Sequence, residues 1–228
     1  DAVGFDLGCG SGRWAKLVAP KVGKLFCIDA SQDALEVAKK NLQIETNCDF
    51  HHASVEKIPL ADNSMDFGYS LGVLHHIPDT FEGIKQCVTK LKKGSPFLVY
   101  LYYAFDNRPS WFRGLWKISD FVRQIISKLP TSLKHIIAEI LAVTVYFPLA
   151  RMAYLLEKAG LNVSAFPLSL YRDKSFYTMR TDSLDRFGTR LEHRFTRKQI
   201  EEMMTKAGLE NIKFSEETPF WCAVGKKK

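Results

Sequence analysis

Residues 6–12 read Asp-Leu-Gly-Cys-Gly-Ser-Gly and close an apolar run, Val3 to Leu7. Such a run predicts a buried strand, and Gly8, Gly10 and Gly12 predict the turn that ends it. Arg13 to Ala19 can form a helix behind that turn. Glycine permits positive φ and carries no Cβ, so a ligand can approach the main chain closely. Bare N–H groups beside a helix start would favour polar or anionic groups. The spacing is G-x-G-x-G. Arg13 and Ala15 stand where a G-x-G-x-x-G dinucleotide turn would need its third glycine, which counts against a nicotinamide-dependent oxidoreductase.

A second apolar run, Lys24 to Ile28, ends in Asp29, 17 residues after Gly12. In an open α/β sheet an acid at a strand's carboxyl end accepts hydrogen bonds from ribose hydroxyls. The third signal is ASVEKIPLADNSMDFGYSLGVLHHIPD, residues 53–79. With these three segments the chain resembles the class I S-adenosylmethionine-dependent methyltransferases, of the small-molecule, methyltransferase-11-like type. The resemblance implies a Rossmann-like α/β fold: a seven-stranded, mostly parallel sheet of order 3-2-1-4-5-7-6, with helices on both faces. It also implies S-adenosylmethionine as cofactor and S-adenosylhomocysteine as product.

Roles follow for matched positions only. Asp6 would orient the turn and reach the methionine moiety, while Gly8, Cys9, Gly10 and Gly12 let the backbone pass close to it. Asp29 would bind the ribose, with Ala30 and Ser31 flanking the adenine. Ser54 and Val55 would meet the adenine edge. The family commonly has aspartate at the position of Ser54, and a hydroxyl there accepts a hydrogen bond without charge assistance. Ser70 and Leu71 would lie beneath the sulfonium. The resemblance further implies helices upstream of Asp1, so a natural N-terminal segment is expected to be missing.

Strand and helix alternate along the first hundred residues, as in a doubly wound sheet. Helices are predicted over Gln32–Gln43, with Ser31 as N-cap and Ala34, Leu35, Val37 and Ala38 on the apolar side, and over Thr80–Lys92. Further strands are predicted over 49–53, 64–70 and 96–103. The rhythm stops near Asn107 and resumes with a helix from Thr196 to Ala207 and strands over 212–216 and 220–224. Three segments follow: residues 1–106 as a cofactor-binding core, 107–189 as a helical insertion, and 190–228 completing the sheet.

An insertion after the fifth strand would emerge at the ligand-binding edge, so it is expected to form a lid over the substrate. Its first helix, Pro109 to Leu129, carries a stripe of Phe112, Leu115, Ile118, Val122, Ile125 and Leu129 beside basic Arg113, Lys117, Arg123 and Lys128. The stripe fits packing within the lid, or contact with a membrane surface through Trp111 and Trp116. The second, Leu133 to Glu157, has only 11 uncharged residues in a row (140–150) and a kink expected at Pro148, too short a run for the ~20 of a transmembrane span. A run dense in Arg, Asp and Tyr, residues 171–200, is expected as a loop, with Tyr171, Arg180, Asp182, Asp185 and Arg186 as substrate contacts.

Methyl transfer asks the protein to align a nucleophile and exclude water, with a base only where the nucleophile carries a proton. His75 and His76 are the candidate bases. The same pair can instead shape the turn after the fourth strand. His51 and His52 would point to opposite faces of a strand, and no metal site is expected. The five cysteines lack C-x-x-C spacing and read as reduced core residues. A net charge of +7 raises nucleic acid as a partner. The cations are scattered, however, and Ser70-Leu71-Gly72-Val73 stands where amino-directed nucleic-acid methyltransferases carry Asn-Pro-Pro-Tyr. The expected activity is in-line methyl transfer to a small, lipid-like or amphipathic acceptor in a cytoplasmic enzyme. An RNA methyltransferase and a non-catalytic cofactor-binding subunit remain the alternatives.

Overall fold

The computed structural model describes residues 1–217 and 220–228. The chain divides into two compact units, residues 1–104 with 193–228, and residues 105–192.

The first unit is built on a seven-stranded sheet. In chain order come β1 (Val3–Leu7), α1 (Ala15–Val18), β2 (Lys24–Asp29), α2 (Gln32–Asn41), β3 (Cys48–His52), β4 (Phe67–Leu71), α3 (Thr80–Lys90) and β5 (Pro96–Tyr100). With β6 (Leu209–Phe214) and β7 (Cys222–Lys227) from the end of the chain, the sheet order is β3-β2-β1-β4-β5-β7-β6, as expected. Strands β1 to β5 pair in parallel, whereas the last hairpin strand runs antiparallel to β5.

Alternation along each strand sorts the core into two layers. Phe5, Leu7, Ile28, Phe97 and Val99 pack with Ile84 and Val88 of α3. Leu25, Cys27 and Tyr69 pack on the opposite face with Ala15 of α1 and with Leu35 and Ala38 of α2. Ser31 caps α2 by accepting from the Ala34 N–H at 3.2 Å. Val37 corrects the expected apolar side of α2: it is exposed, because only Leu35 and Ala38 reach the sheet. Helix α1 is also shorter than expected. It has four residues and passes straight into a 3-10 turn, Ala19–Lys21, because Pro20 follows.

The second unit is helical: α4 (Ser110–Ile126), α5 (Thr131–Leu141), α6 (Phe147–Lys158) and α7 (Phe176–Gly188). A π-helical turn, Ala142–Tyr146, joins α5 to α6 where the kink was expected. Pro148 cannot donate to the carbonyl four residues back, and a widened turn absorbs that mismatch. Thr131–Lys158 is thus one helix of 28 residues, long and apolar enough by length and composition to cross a membrane. That corrects the expectation drawn from the 11-residue run, since Glu139 and Arg151 do not interrupt the helix. The unit's buried cluster is small: Ile126, Tyr146, Ala150, Met179 and Phe187. Two further corrections concern surfaces. The run around Tyr177–Asp185 is helix α7 rather than a loop, capped by the Ser175 hydroxyl. Of the expected stripe on α4, Leu115, Ile118, Val122 and Ile125 face solvent, while Arg123 and Ile126 are buried.

The α/β unit is completed by α8 (Arg197–Lys206), β6 (Leu209–Phe214) and β7 (Cys222–Lys227). Thr196 opens α8 with a capping box closed by Gln199.

Candidate active site

The carboxyl ends of β1, β2 and β3 enclose a cleft of about 390 Å³. Its walls include Leu7, Gly8, Asp29, Ala30, Ser54 and Val55, so six residues from two strand ends and the turn after β3 meet there. This volume falls within the range of small-molecule sites.

Asp29 organises the cleft. Its Oδ2 accepts from the Gly10 N–H and its Oδ1 from the Ser31 N–H, both at 2.8 Å. Each oxygen keeps a lone pair for a ligand hydroxyl. Behind it, His52 Nε2 bonds the Ala30 carbonyl at 2.9 Å and fixes the strand end.

The glycine turn works differently from the expectation of bare amides. Gly8 and Cys9 N–H both donate to the Ile28 carbonyl, at 2.7 and 3.1 Å, and the Gly12 N–H donates to the Cys9 carbonyl. With Gly10 bound to Asp29, the four amides are spent inside the protein. Gly8 has φ +77°, and a Cβ there would lie 2.3 Å from a Val73 methyl. Gly10 has φ +52° and open space where its Cβ would be. Close approach to the main chain is therefore possible at Gly10, and the four-residue α1 contributes no helix dipole of consequence.

Asp6 is buried beneath the turn and does not reach the cleft wall. Its Oδ2 has no hydrogen-bond partner among the described residues; Tyr69 lies close but outside bonding geometry. Burial raises its pKa to about 7, and the charge of Asp29 adds to the rise. The Cys9 thiol likewise points into the core. Ser70 is fully buried at the end of β4, its hydroxyl without a partner among the described residues, and Leu71 is half-buried beside it.

The histidine pair splits. His75 is fully buried, stacked on Tyr102 with ring centroids 3.8 Å apart, and its Nδ1 accepts the Tyr102 N–H at 3.4 Å. Burial, with His76 and Arg194 nearby, pushes its pKa down to about 2. Fully buried, with Nδ1 already accepting from Tyr102 and the ring outside the cleft wall, His75 is placed to shape the turn, the second of the two roles expected for the pair. His76 is half-buried in the same turn.

The cleft also gathers residues that motif matching did not single out: Glu56, Val73, Ile77, Pro78, Asp79 and Glu82. Four of these sit in or next to the LHHIPD turn, so the motif pointed at the right segment but drew attention to its histidines. Asp79 caps α3 by accepting from the Glu82 N–H at 3.0 Å. Gln86 and Lys85 hold the Glu82 carboxyl below its usual range. With Asp29, the wall carries four carboxylates in a chain of net charge +7.

The expected substrate residues belong to the helical unit. Tyr171 packs edge-on against Tyr146 at 5.4 Å. Arg180 pairs with Glu139 at 3.4 Å, both largely exposed. Asp182 is half-buried and Asp185 exposed on α7. Arg186 binds Glu192 at 2.6 Å and lies against the Trp116 ring. None lines the cleft. Among the described residues no group of three or more His, Cys, Asp or Glu is placed to hold a metal ion.

Residues 5–99 match the family model described as a methyltransferase domain. The uncharacterized methyltransferase YcgJ of Bacillus subtilis is 29% identical over 105 residues, 45% of this chain and 42% of its own. The demethylmenaquinone methyltransferase of Staphylococcus haemolyticus is 28% identical over 164 residues, 69% of this chain and 67% of its own. The chain therefore spans between two-fifths and two-thirds of the length of these relatives. A SAM-dependent methyltransferase structure from Thermotoga maritima shares the fold at TM-score 0.51 and 16% identity, over 100% of this chain and 83% of its own. Residues 5–99 are thus a methyltransferase domain, and the α/β unit that contains them has the fold of the class I S-adenosylmethionine-dependent methyltransferases.

Proposed function

We propose that this chain transfers a methyl group from S-adenosylmethionine to a small, apolar or amphipathic acceptor. The observation that carries the reading is the cleft around Asp29, whose wall combines four carboxylates with Leu7, Ala30, Val55, Val73, Ile77 and Pro78. When bound, the cofactor supplies a methyl group already activated on a sulfonium.

The chain's own residues fit that group. The remaining lone pairs of Asp29 suit vicinal hydroxyls, and Ala30 with Val55 offers apolar flanks to a flat ring. The Ser54 hydroxyl, free of any capping bond, is available to its edge. Gly10 leaves room for the tail, and the unpartnered Oδ2 of Asp6 lies beneath that turn. Carboxylates around the cleft favour a cation and oppose a polyanion such as RNA. Apolar residues on the remaining wall exclude water, which strengthens each polar contact made inside. His76, half-buried in the turn after β4, is the candidate base that the reading keeps. The staphylococcal relative, named for a methylation of demethylmenaquinone, supports a ring-bearing acceptor.

The test is purified chain with methyl-labelled S-adenosylmethionine, offered in parallel a demethylated quinol, a lipid extract and RNA. Label entering the quinol or lipid fraction is expected. Label in RNA alone would replace the acceptor class, and firm cofactor binding with no transfer to any acceptor would mark a non-catalytic subunit.

A further inference from the structure

Helix α4 has three sectors rather than two. One buries Arg123 and Ile126 against the rest of its unit. A second, made of Trp111, Leu115, Ile118, Phe121, Val122 and Ile125, is apolar, and each member is exposed, from 39% at Val122 to 65% at Ile118. The third carries Arg113 and Lys117, both facing solvent, and Lys128 is exposed just past the helix end. The spacing 111, 115, 118, 122, 125 advances by alternate threes and fours, so these side chains form one continuous strip along the axis. Single exposed leucines need no explanation, whereas a contiguous strip this long marks an interaction surface. The long helix behaves alike: Ile136, Ile140 and Val143 are each more than half exposed.

We propose that the α4 face docks on an anionic lipid bilayer and lies in its interfacial plane. Charge argues for this occupant over a second copy of the chain. The single acid of α4, Asp120, is engaged by Arg123 Nε at 2.7 Å. A copy presenting the same face would bring cations to cations, while phosphate headgroups meet them directly. Tryptophan at the strip's start and lysine along its edge is the distribution that suits the boundary between headgroups and acyl chains.

Lying on the membrane is favoured over crossing it by what the long helix already touches. One side of Thr131–Lys158 buries Ala138, Ala142, Tyr146, Ala150 and Ala153 in its own unit, and the Ser183 hydroxyl of α7 donates to the Ala138 carbonyl at 2.9 Å. Spanning would strip those contacts from α7. The inference stands apart from the methyl-transfer reading, since docking needs no cofactor, and failure of either leaves the other intact.

The test is co-sedimentation of the whole chain, without cofactor, with vesicles of phosphatidylcholine alone or with added phosphatidylserine. Sedimentation with the mixed vesicles, weakened by salt, is expected. The double variant Ile118→Ser, Phe121→Ser should sediment at least about tenfold less while keeping its circular dichroism, because two apolar anchors are lost. Equal sedimentation of the variant, or none of the parent on either vesicle, would overturn the proposal. So would concentration-dependent dimerisation abolished by the same variant, or parent protein that resists alkaline extraction from the vesicles.

Discussion

Helices α3 and α4 look alike as sequences, each with apolar residues at helical spacing, yet they meet opposite fates. Helix α3 has 11 residues and buries Thr80, Gly83, Ile84, Cys87 and Val88 against the sheet. Helix α4 has 17 and buries only Arg123 and Ile126. Periodicity therefore establishes that a stripe exists without saying what covers it. In the α/β unit the sheet is that cover, and it comes with the strand pattern itself. In the helical unit the buried cluster is small, and much apolar surface is left outward.

The contrast can be broken by measurement. The largest expected effect is Ile84→Ala, which should cost about 2–5 kcal/mol in chemical denaturation, as for other fully buried aliphatic truncations. A loss below about 1 kcal/mol would mean that α3 is no better packed than α4.

Next comes Asp6, whose folded pKa of about 7 lies above the 3.8 of the unfolded chain. The folded state holds its proton where the unfolded state has released it, so stability falls as pH rises from about 4 to about 7. The integrated cost is on the order of 4 kcal/mol. Asp6→Asn should remove that decline: thermal midpoints of parent and variant should diverge between pH 4.5 and pH 8, with the parent falling further. Parallel curves would show the carboxyl to be solvated.

Asp29→Ala should weaken S-adenosylmethionine binding by roughly 1–3 kcal/mol in calorimetry, the scale for leaving a hydrogen-bond partner unmatched. Unchanged affinity would remove Asp29 from the site. The smallest effect sharpens the comparison most. Ile118→Ser should change folding stability by less than about 0.5 kcal/mol, since its side chain is already in solvent.

How far the sequence was legible follows the same division. The strands could be read because each is an apolar run closed by a turn or an acid, and Asp29 because it ends such a run. The Asp29–Gly10 bond could not be read: which acceptor a turn amide chooses depends on where a distant strand end places it. Glu82 lines the cleft because α3 starts there, and Glu56 because a 3-10 turn follows β3, neither of which spacing reveals. Residues 176–188 fell in a run read as a loop for its density of Arg, Asp and Tyr, yet Ser175 spends its hydroxyl as a cap and the rest continue as helix. His75 resembled a base until its burial beside Tyr102 was known.

One consequence follows from the way Ile28, Cys9 and Asp29 satisfy the amides of Gly8, Cys9, Gly10 and Gly12. A loop that closes upon itself is already in its receiving shape, so an arriving nucleoside sacrifices little of the protein's freedom. Deuterium should thus enter those amides slowly before any guest is added, and the crevice would greet its occupant as a finished mould rather than as a folding partner.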